Sequence, residues 1–279
     1  MSTYSANEMM ALAAGRFIKD GDIVFAGTGV AMLAATAAKR IYAPKAVIFF
    51  ETGGIDPVLE EIPMAVADSR VMHGTCLNSG LIEAFSIVGH RKLHTVAFLG
   101  AAQIDRYGNL NTTSLGDYHR PRTRFSGSGG ACDVASFASG VITFMQHEKR
   151  RFVEQLDYLT SVGWYQGGES RKKLGLRRGG ALAVVTNLGV MTFHESTREM
   201  ALAEVYPGVP VYTKEVYGAL KPPRAAAVKV RLGEFRELCG LIKRGAFVPG
   251  RAGALFNRLE EPVLPRHRAV RLAKERLLK

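Results

Sequence analysis

The sequence predicts an α/β protein in which helices cover a mostly parallel sheet. Two observations predict it. The first fifty residues alternate helical and strand patterns, and several later apolar runs are short, β-branched and bounded by turn residues. A chain of 279 residues with 47% hydrophobic composition is large enough to bury such a core.

Ser5-x-x-Glu8 precedes the apolar-periodic run MMALAAGRFI. This is a capping box, in which each side chain satisfies a backbone donor at a helix start. Gly21 stands where that helix is expected to stop. DIVFAGTG reads as a short buried strand entering a glycine turn. VAMLAATAAKR is alanine-rich with helical spacing, and Pro44 follows its end. AVIFFE is the next strand. Further along, LHTVAFLGAAQID is a strand leaving on a loop, and GVITFMQ is another strand. ALAVVTNLGVMTF gives two strands with a turn at Asn187-Leu188-Gly189, and EFRELCGLIKRG gives an amphipathic helix. The expected organisation is one domain over residues 1–248 and a basic tail, with one terminal helix, over 249–279.

The totals limit the function classes. No apolar run reaches the roughly 20 residues of a membrane span. The first residues lack a basic start followed by an apolar core and a cleavage site, so a cytoplasmic location is expected and no membrane partner. Cys76, Cys132 and Cys239 form no C-x-x-C pair and suit a reducing compartment as small buried thiols. The net charge of +12 gathers in KRR (149–151), RKK (171–173), Arg177-Arg178 and the last thirty residues. It reads as a solvated basic face or as a surface for an anionic ligand such as a nucleotide-bearing thioester. No zinc-finger or RNA-recognition signature accompanies it, and no nucleic-acid partner is expected; salt-sensitive DNA binding is the observation that would reverse this.

The stretch FFETGGID (49–56) poses the chemical question, because an acid is costly at the end of a buried strand. Three readings are open. In a dinucleotide site, Gly27-x-Gly29 would cradle phosphates and Glu51 would hold a ribose, but Met32 takes the place of the third small residue. In a purely architectural reading, Glu51 caps a helix or pairs with a buried arginine. As a nucleophile, a carboxylate at the carboxyl end of a parallel strand attacks an activated acyl group, with glycines leaving room for substrate.

Two further blocks weigh toward the third. FLGAAQIDRYGNLNTTSLGDYHRPRTRFSGSGGACDVA (98–135) and MQHEKRRF (145–152), with the DYLTSVGW stretch after it, follow AGTGVAM and FETGGID in order. Together they resemble the B (beta) subunit of family I CoA-transferases, the glutaconate branch above all, from near residue 7 to about residue 205. The resemblance implies an open three-layer α/β/α sandwich. It implies transfer of CoA from an acyl-CoA to a free carboxylate, with Glu51 of Glu51-Thr52-Gly53 as the catalytic glutamate. Gly27, Thr28 and Gly29 match the family loop whose backbone helps bind the thioester oxygen. Gly129 and Gly130 match the G-x-G-G-A loop that supplies another amide, and Gly53, Gln103 and Asn109 fall in the pocket-shaping motifs, with Asp105 and Gly108 in the same block.

The resemblance also implies an A (alpha) subunit as partner in a hetero-oligomer. It implies acyl-CoA and carboxylic acid as substrates, and neither a permanently bound cofactor nor a metal. Ala101 stands where the glutaconate branch has glycine, TGGIDP departs from that branch after the glutamate, and the last seventy or so residues do not match. The alternatives in the same superfamily are a thioester or ring-opening hydrolase, which typically lacks the glutamate, and a non-catalytic partner subunit. His147-Glu148 begins like a zinc-protease helix, but Arg151 replaces the second histidine, which rejects a metal site. His119 is expected either to line the pocket or to be a buried, hydrogen-bonded histidine. Arg122 and Arg124 are expected to meet an acidic substrate, the partner subunit or solvent.

Overall fold

The structure, a computed structural model, describes residues 5–59, 63, 65–176, 178–207, 209 and 226–227. They fall into two compact units, one ending at Ala84 and one beginning at Phe85. The expected helix in EFRELCGLIKRG and the tail from residue 249 lie outside the described residues. Among the described residues no helix is long and apolar enough to cross a membrane.

In the first unit, helix α1 (Ala6–Gly15) opens on the expected capping box. Ser5 Oγ accepts the Glu8 N–H at 3.2 Å, and Glu8 Oε2 accepts the Ser5 N–H at 2.6 Å. The helix ends at Gly15, six residues before the expected stop at Gly21. The reason is local competition: the chain tightens through bonds from Phe17 to Ala14 and Ile18 to Gly15, and the Asp22 carboxylate takes the Lys19 N–H. Gly21, at φ +86°, serves the turn that follows. Strand β1 (Ile23–Phe25) then leads into helix α2 (Val30–Ile41) and strand β2 (Val47–Phe49). The strands are parallel, with Ile23 opposite Val47 and Phe25 opposite Phe49, so α2 is the crossover helix. It packs on α1 and β2. Strands β3 (Gly54–Ile55) and β4 (Leu77–Asn78) extend this sheet antiparallel, in the order β1-β2-β3-β4. Helix α3 (Leu81–Val88) carries the chain onward.

The second unit begins with β5 (Thr95–Gly100). Two small hairpins follow, β6 (Gln103–Ile104) with β7 (Leu110–Asn111) and β8 (Ser114–Leu115) with β9 (Thr123–Arg124). Then come α4 (Ala131–Phe137), β10 (Gly140–Met145) and the single turn α5 (Ser170–Lys173). Strands β11 (Ala181–Thr186), β12 (Gly189–Phe193), β13 (Met200–Val205) and β14 (Ala226–Ala227) complete it. The order is β14-β13-β12-β11-β10-β5. β5, β10 and β11 run parallel, and β12 and β13 turn antiparallel. The expected turn between β11 and β12 is closed by Thr186 Oγ1, which accepts the Leu188 and Gly189 N–H groups. Ala97, Phe98, Ile142, Val184 and Met191 fill the core. The class is α/β: β1 and β2 pair in parallel in the first unit, and β5, β10 and β11 in the second, with antiparallel strands beside them in each.

Candidate active site

Parallel pairing sets the geometry of the first unit. Because Phe25 lies opposite Phe49, and the Ala26 N–H reaches the Phe49 carbonyl at 3.2 Å, both strands end together. The Gly27–Gly29 loop and Glu51 therefore leave the same carboxyl edge, where open α/β sheets place ligands. Phe25 and Phe49 pack edge to face beneath it, at 5.4 Å between ring centres. Glu51 and Thr52 are the two central residues of a β-turn, closed by the Gly53 N–H on the Phe50 carbonyl at 3.0 Å.

That turn is held from several sides. The Phe50 N–H meets the Gly54 carbonyl at 3.0 Å, and Thr52 Oγ1 donates to the Val66 carbonyl at 2.9 Å. Asp56, at φ +54°, pairs its carboxylate with Lys39 of α2. Gly53 has φ +100°, and a Cβ there would fall 1.9 Å from the Ser79 carbonyl oxygen. Only glycine fits. The Glu51 side chain is partly exposed, and among the described residues it makes no hydrogen bond or ion pair. It is thus neither a helix cap nor the partner of a buried arginine. Met32 is a fully buried core side chain where a dinucleotide site needs a small residue.

Backbone donors leave the same sheet edge. Gly29 caps α2 at φ +74° without a side-chain bond, and the first helical donor satisfied is Leu33, on the Gly29 carbonyl. The N–H groups from Gly27 to Met32 have no acceptor among the described residues. A helix start with free amides favours negative charge. A Cβ at Gly27 or Gly29 would meet nothing within 4 Å, so the loop borders open space. Thr28 is exposed.

In the second unit, Gly127 is clamped to Thr112 by two bonds, N–H to carbonyl at 3.1 Å and Thr112 Oγ1 to the Gly127 carbonyl at 2.9 Å. Gly127 and Gly129 have φ +88° and +48°, and Ser128 Oγ accepts the Cys132 N–H. The Gly129 and Gly130 N–H groups have no acceptor among the described residues. Consecutive amides in this conformation make an anion-binding concavity.

The QID-x-x-GN block behaves differently. Gln103 and Asn109 are buried, and the oxygen and nitrogen of each amide bond within the protein. Gln103 Oε1 accepts from Asn111 and from the Asp157 N–H, while its Nε2 donates to Asp157. Asn109 donates to Asp105 and the Tyr165 carbonyl and accepts the Gly163 and Tyr165 N–H groups. Both side chains brace the 157–165 loop. Burial raises the Asp105 carboxyl above its ordinary range, against the hydrogen bonds from Asn109 and Tyr107 and the charge of Arg106. Asp105 also borders a cavity of about 540 Å3, with Arg106, Phe152, His194, Glu199 and Met200.

The remaining candidates are dispersed. His119 is exposed on the β8–β9 hairpin with its ring edge on Tyr118, so it is not a buried histidine. Arg122 is exposed, and Arg124 lies over the Tyr118 ring at 4.6 Å. Cys76 and Cys132 are exposed thiols rather than the buried ones expected, because both sit at the edges of short elements, and Cys239 lies outside the described residues. His147 Nδ1 lies 3.2 Å from Thr186 Oγ1, and no group of three potential metal ligands occurs among the described residues. Hydrogen bonds from Arg150 and Arg151 hold the exposed Glu148 carboxyl below its ordinary range, which neutralises part of the KRR run. Sequence reasoning missed Arg171, which stands in the basic run RKK yet is 2% exposed. Its one sequence signal is the glycine-rich chain on either side, which leaves many carbonyls without helical or strand partners.

Known proteins resemble this chain over most of its length. The coenzyme A transferase family model matches residues 7–214. The B subunit of glutaconate CoA-transferase from Acidaminococcus fermentans is 44% identical over 211 residues, covering 74% of this chain and 79% of that protein. The B subunit of 3-oxoadipate CoA-transferase from Pseudomonas knackmussii is 38% identical over 211 residues, covering 75% and 80%. The crystal structure of glutaconate coenzyme A-transferase from Acidaminococcus fermentans superposes with a TM-score of 0.82 at 36% identity, covering 93% of this chain and 99% of that one. With this match over most of its length, the chain belongs to the coenzyme A transferase family.

Proposed function

We propose that this chain is the B subunit of a CoA-transferase that moves CoA from an acyl-CoA to a free carboxylic acid, a dicarboxylic, glutaconate-like one, together with an A subunit. The observation that carries this is the partly exposed, unpaired Glu51 on a turn that leaves the same sheet edge as the free amides of Gly27–Gly29. Glutamate carboxyls titrate near about 4.3 in short peptides, so a carboxylate nucleophile needs no helper base at neutral pH. Glu51 attacks the thioester carbonyl, and the C–S bond breaks to give a mixed anhydride and CoA thiolate. The thiolate then attacks the glutamyl carbonyl, releasing the first carboxylate and leaving a glutamyl-CoA thioester. The acceptor carboxylate repeats both steps in reverse, so bonds and charges balance and the kinetics are ping-pong.

Each step passes through a tetrahedral oxyanion. The Gly27–Gly29 amides are its donors; losing one such donor commonly costs about 3–4 kcal/mol of barrier. Gln103 and Asn109 act as braces. The test is Glu51→Gln in the complex with its A subunit. CoA exchange between an acyl-CoA and a labelled acid should fall by at least about 10³-fold while the circular dichroism stays native. Borohydride should reduce the thioester at residue 51 of the wild type after incubation with acyl-CoA. Full exchange by the variant, or an unmodified peptide, refutes the assignment.

A further inference from the structure

We infer that Asp56, through its ion pair with Lys39, is a positioning residue that ties the hairpin carrying Glu51 to α2; this rests on the transferase reading above. Asp56 follows β3, the two-residue strand that brings the chain back from the Glu51 turn. Its N–H donates to the Ile48 carbonyl at 2.6 Å. An antiparallel pair of this kind normally exchanges two backbone bonds. Here the second is replaced: the Ile48 N–H points at Asp56 Oδ1, 3.4 Å away, and the same oxygen accepts a bond from Lys39 Nζ. The backbone of Asp56 lies at φ +54°, a left-handed conformation that aspartate adopts more readily than most residues. One side chain thus closes the base of the hairpin and reaches the neighbouring helix. Lys39 stands in the last turn of α2, whose first turn holds the free amides.

What the pair connects explains its presence better than stability does. Its side chains are 30% and 26% exposed, and an ion pair that wet adds little to folding. Its effect is directional. The parallel register of β1 and β2 fixes where Glu51 leaves the sheet, but not the swing of a turn beyond the strand end. β3 is short and faces β2 through Phe49 and Ile55. On its far side, the Ser79 N–H holds the Gly53 carbonyl at 2.9 Å. The Asp56 bonds to Ile48 and Lys39 add a fixed point on the near side, and they place it on the element that begins at the Gly27–Gly29 loop. Nucleophile and oxyanion donors are thereby referred to one helix. Such alignment matters to rate, since a misplacement of about 1 Å can cost on the order of 100-fold.

The test uses Asp56→Asn, Lys39→Met and the double variant, each assembled with the A subunit. Asparagine keeps the shape, an oxygen for the Ile48 N–H and the tolerance of positive φ, and loses the ion pair. Methionine keeps an unbranched stem without the ammonium. Melting temperatures should stay close to wild type. At a temperature where all are folded by circular dichroism, kcat for CoA exchange should fall about 5- to 30-fold in each single variant, with KM for acyl-CoA within about threefold. The double variant should lose no more than the worse single one, because one interaction has been removed once. Lys39→Arg, which keeps the charge, should retain at least about half of the wild-type kcat. Borohydride labelling of Glu51 in the single variants should reach the wild-type extent more slowly. Wild-type kcat in either folded single variant overturns the inference, as do losses that multiply in the double variant, a raised KM at unchanged kcat, or failure of both single variants to fold, since the role is then structural alone. A wild-type complex that exchanges no CoA, or a Glu51→Gln variant that does, overturns the transferase reading instead.

Discussion

At the scale of single residues, two carboxylates show how environment divides labour. Glu51 stands partly in solvent on a turn, without a bonded partner among the described residues, available to react. Asp105 lies deeper and accepts N–H groups from Tyr107 at 2.9 Å and Asn109 at 3.0 Å and the Asn109 amide at 2.7 Å. Burial outweighs those bonds and raises its carboxyl above the ordinary aspartate range. The consequence for stability has a definite sign. The folded protein holds this proton to higher pH than the unfolded chain, so the group favours folding in acid and loses that contribution as pH rises through its folded pKa. Asp105→Asn cannot titrate there. Urea melts of both proteins from about pH 4 to pH 7 should show wild type losing stability relative to Asp105→Asn as pH rises, then levelling. A difference that grows in favour of wild type would mean that the hydrogen bonds outweigh burial.

At the scale of elements, the glycines of the site separate into two kinds. Gly53 is required by its surroundings, since its Cβ would fall 1.9 Å from Ser79 O and its φ is +100°. Gly27 has nothing within 4 Å of its Cβ position and no positive φ. Gly53→Ala should therefore cost about 3 kcal/mol or more in a urea titration, by forcing the Glu51 turn off β4. Gly27→Ala should stay within about 0.5 kcal/mol. If substrate occupies the space beside that loop, its kcat/KM should nevertheless fall several-fold; unchanged kinetics would leave the loop without a substrate contact.

The same contrast shows what was legible in the sequence. Ser5-x-x-Glu8, the alanine periodicity of α2 and the apolar run before Glu51 are local signals, and each became the expected element. The hairpin that presents Glu51 was not legible. β3 has two residues, and its partner β4 begins at Leu77, so its register depends on a pairing that no local pattern encodes. The stop of α1 was misplaced because Asp22 captures a backbone donor that a glycine rule ignores.

At the scale of the whole molecule, the sequence showed a net charge of +12 but not its deployment. RKK read as a solvated run, yet Arg171 is a buried hub, while Lys172 pairs with Glu169 at the surface. Burial within such a run depends on tertiary carbonyls supplied by distant segments, which composition cannot reveal. Completeness of the catalyst is likewise a property beyond this chain. The relatives are named as B subunits, and the Glu51 side chain is partly open to solvent here. An anhydride or thioester at that position would meet water before an acceptor acid, so transfer requires that something cover it. If an A subunit supplies that cover, the isolated chain should give no CoA exchange. Adding the A subunit should produce a hetero-oligomer in mass photometry and exchange at least about a hundred times faster than hydrolysis of the acyl-CoA. Exchange by the isolated chain at the rate of the mixture would show that the fold described here is a complete enzyme, and release of free acid as fast as exchange would show that the cover excludes no water.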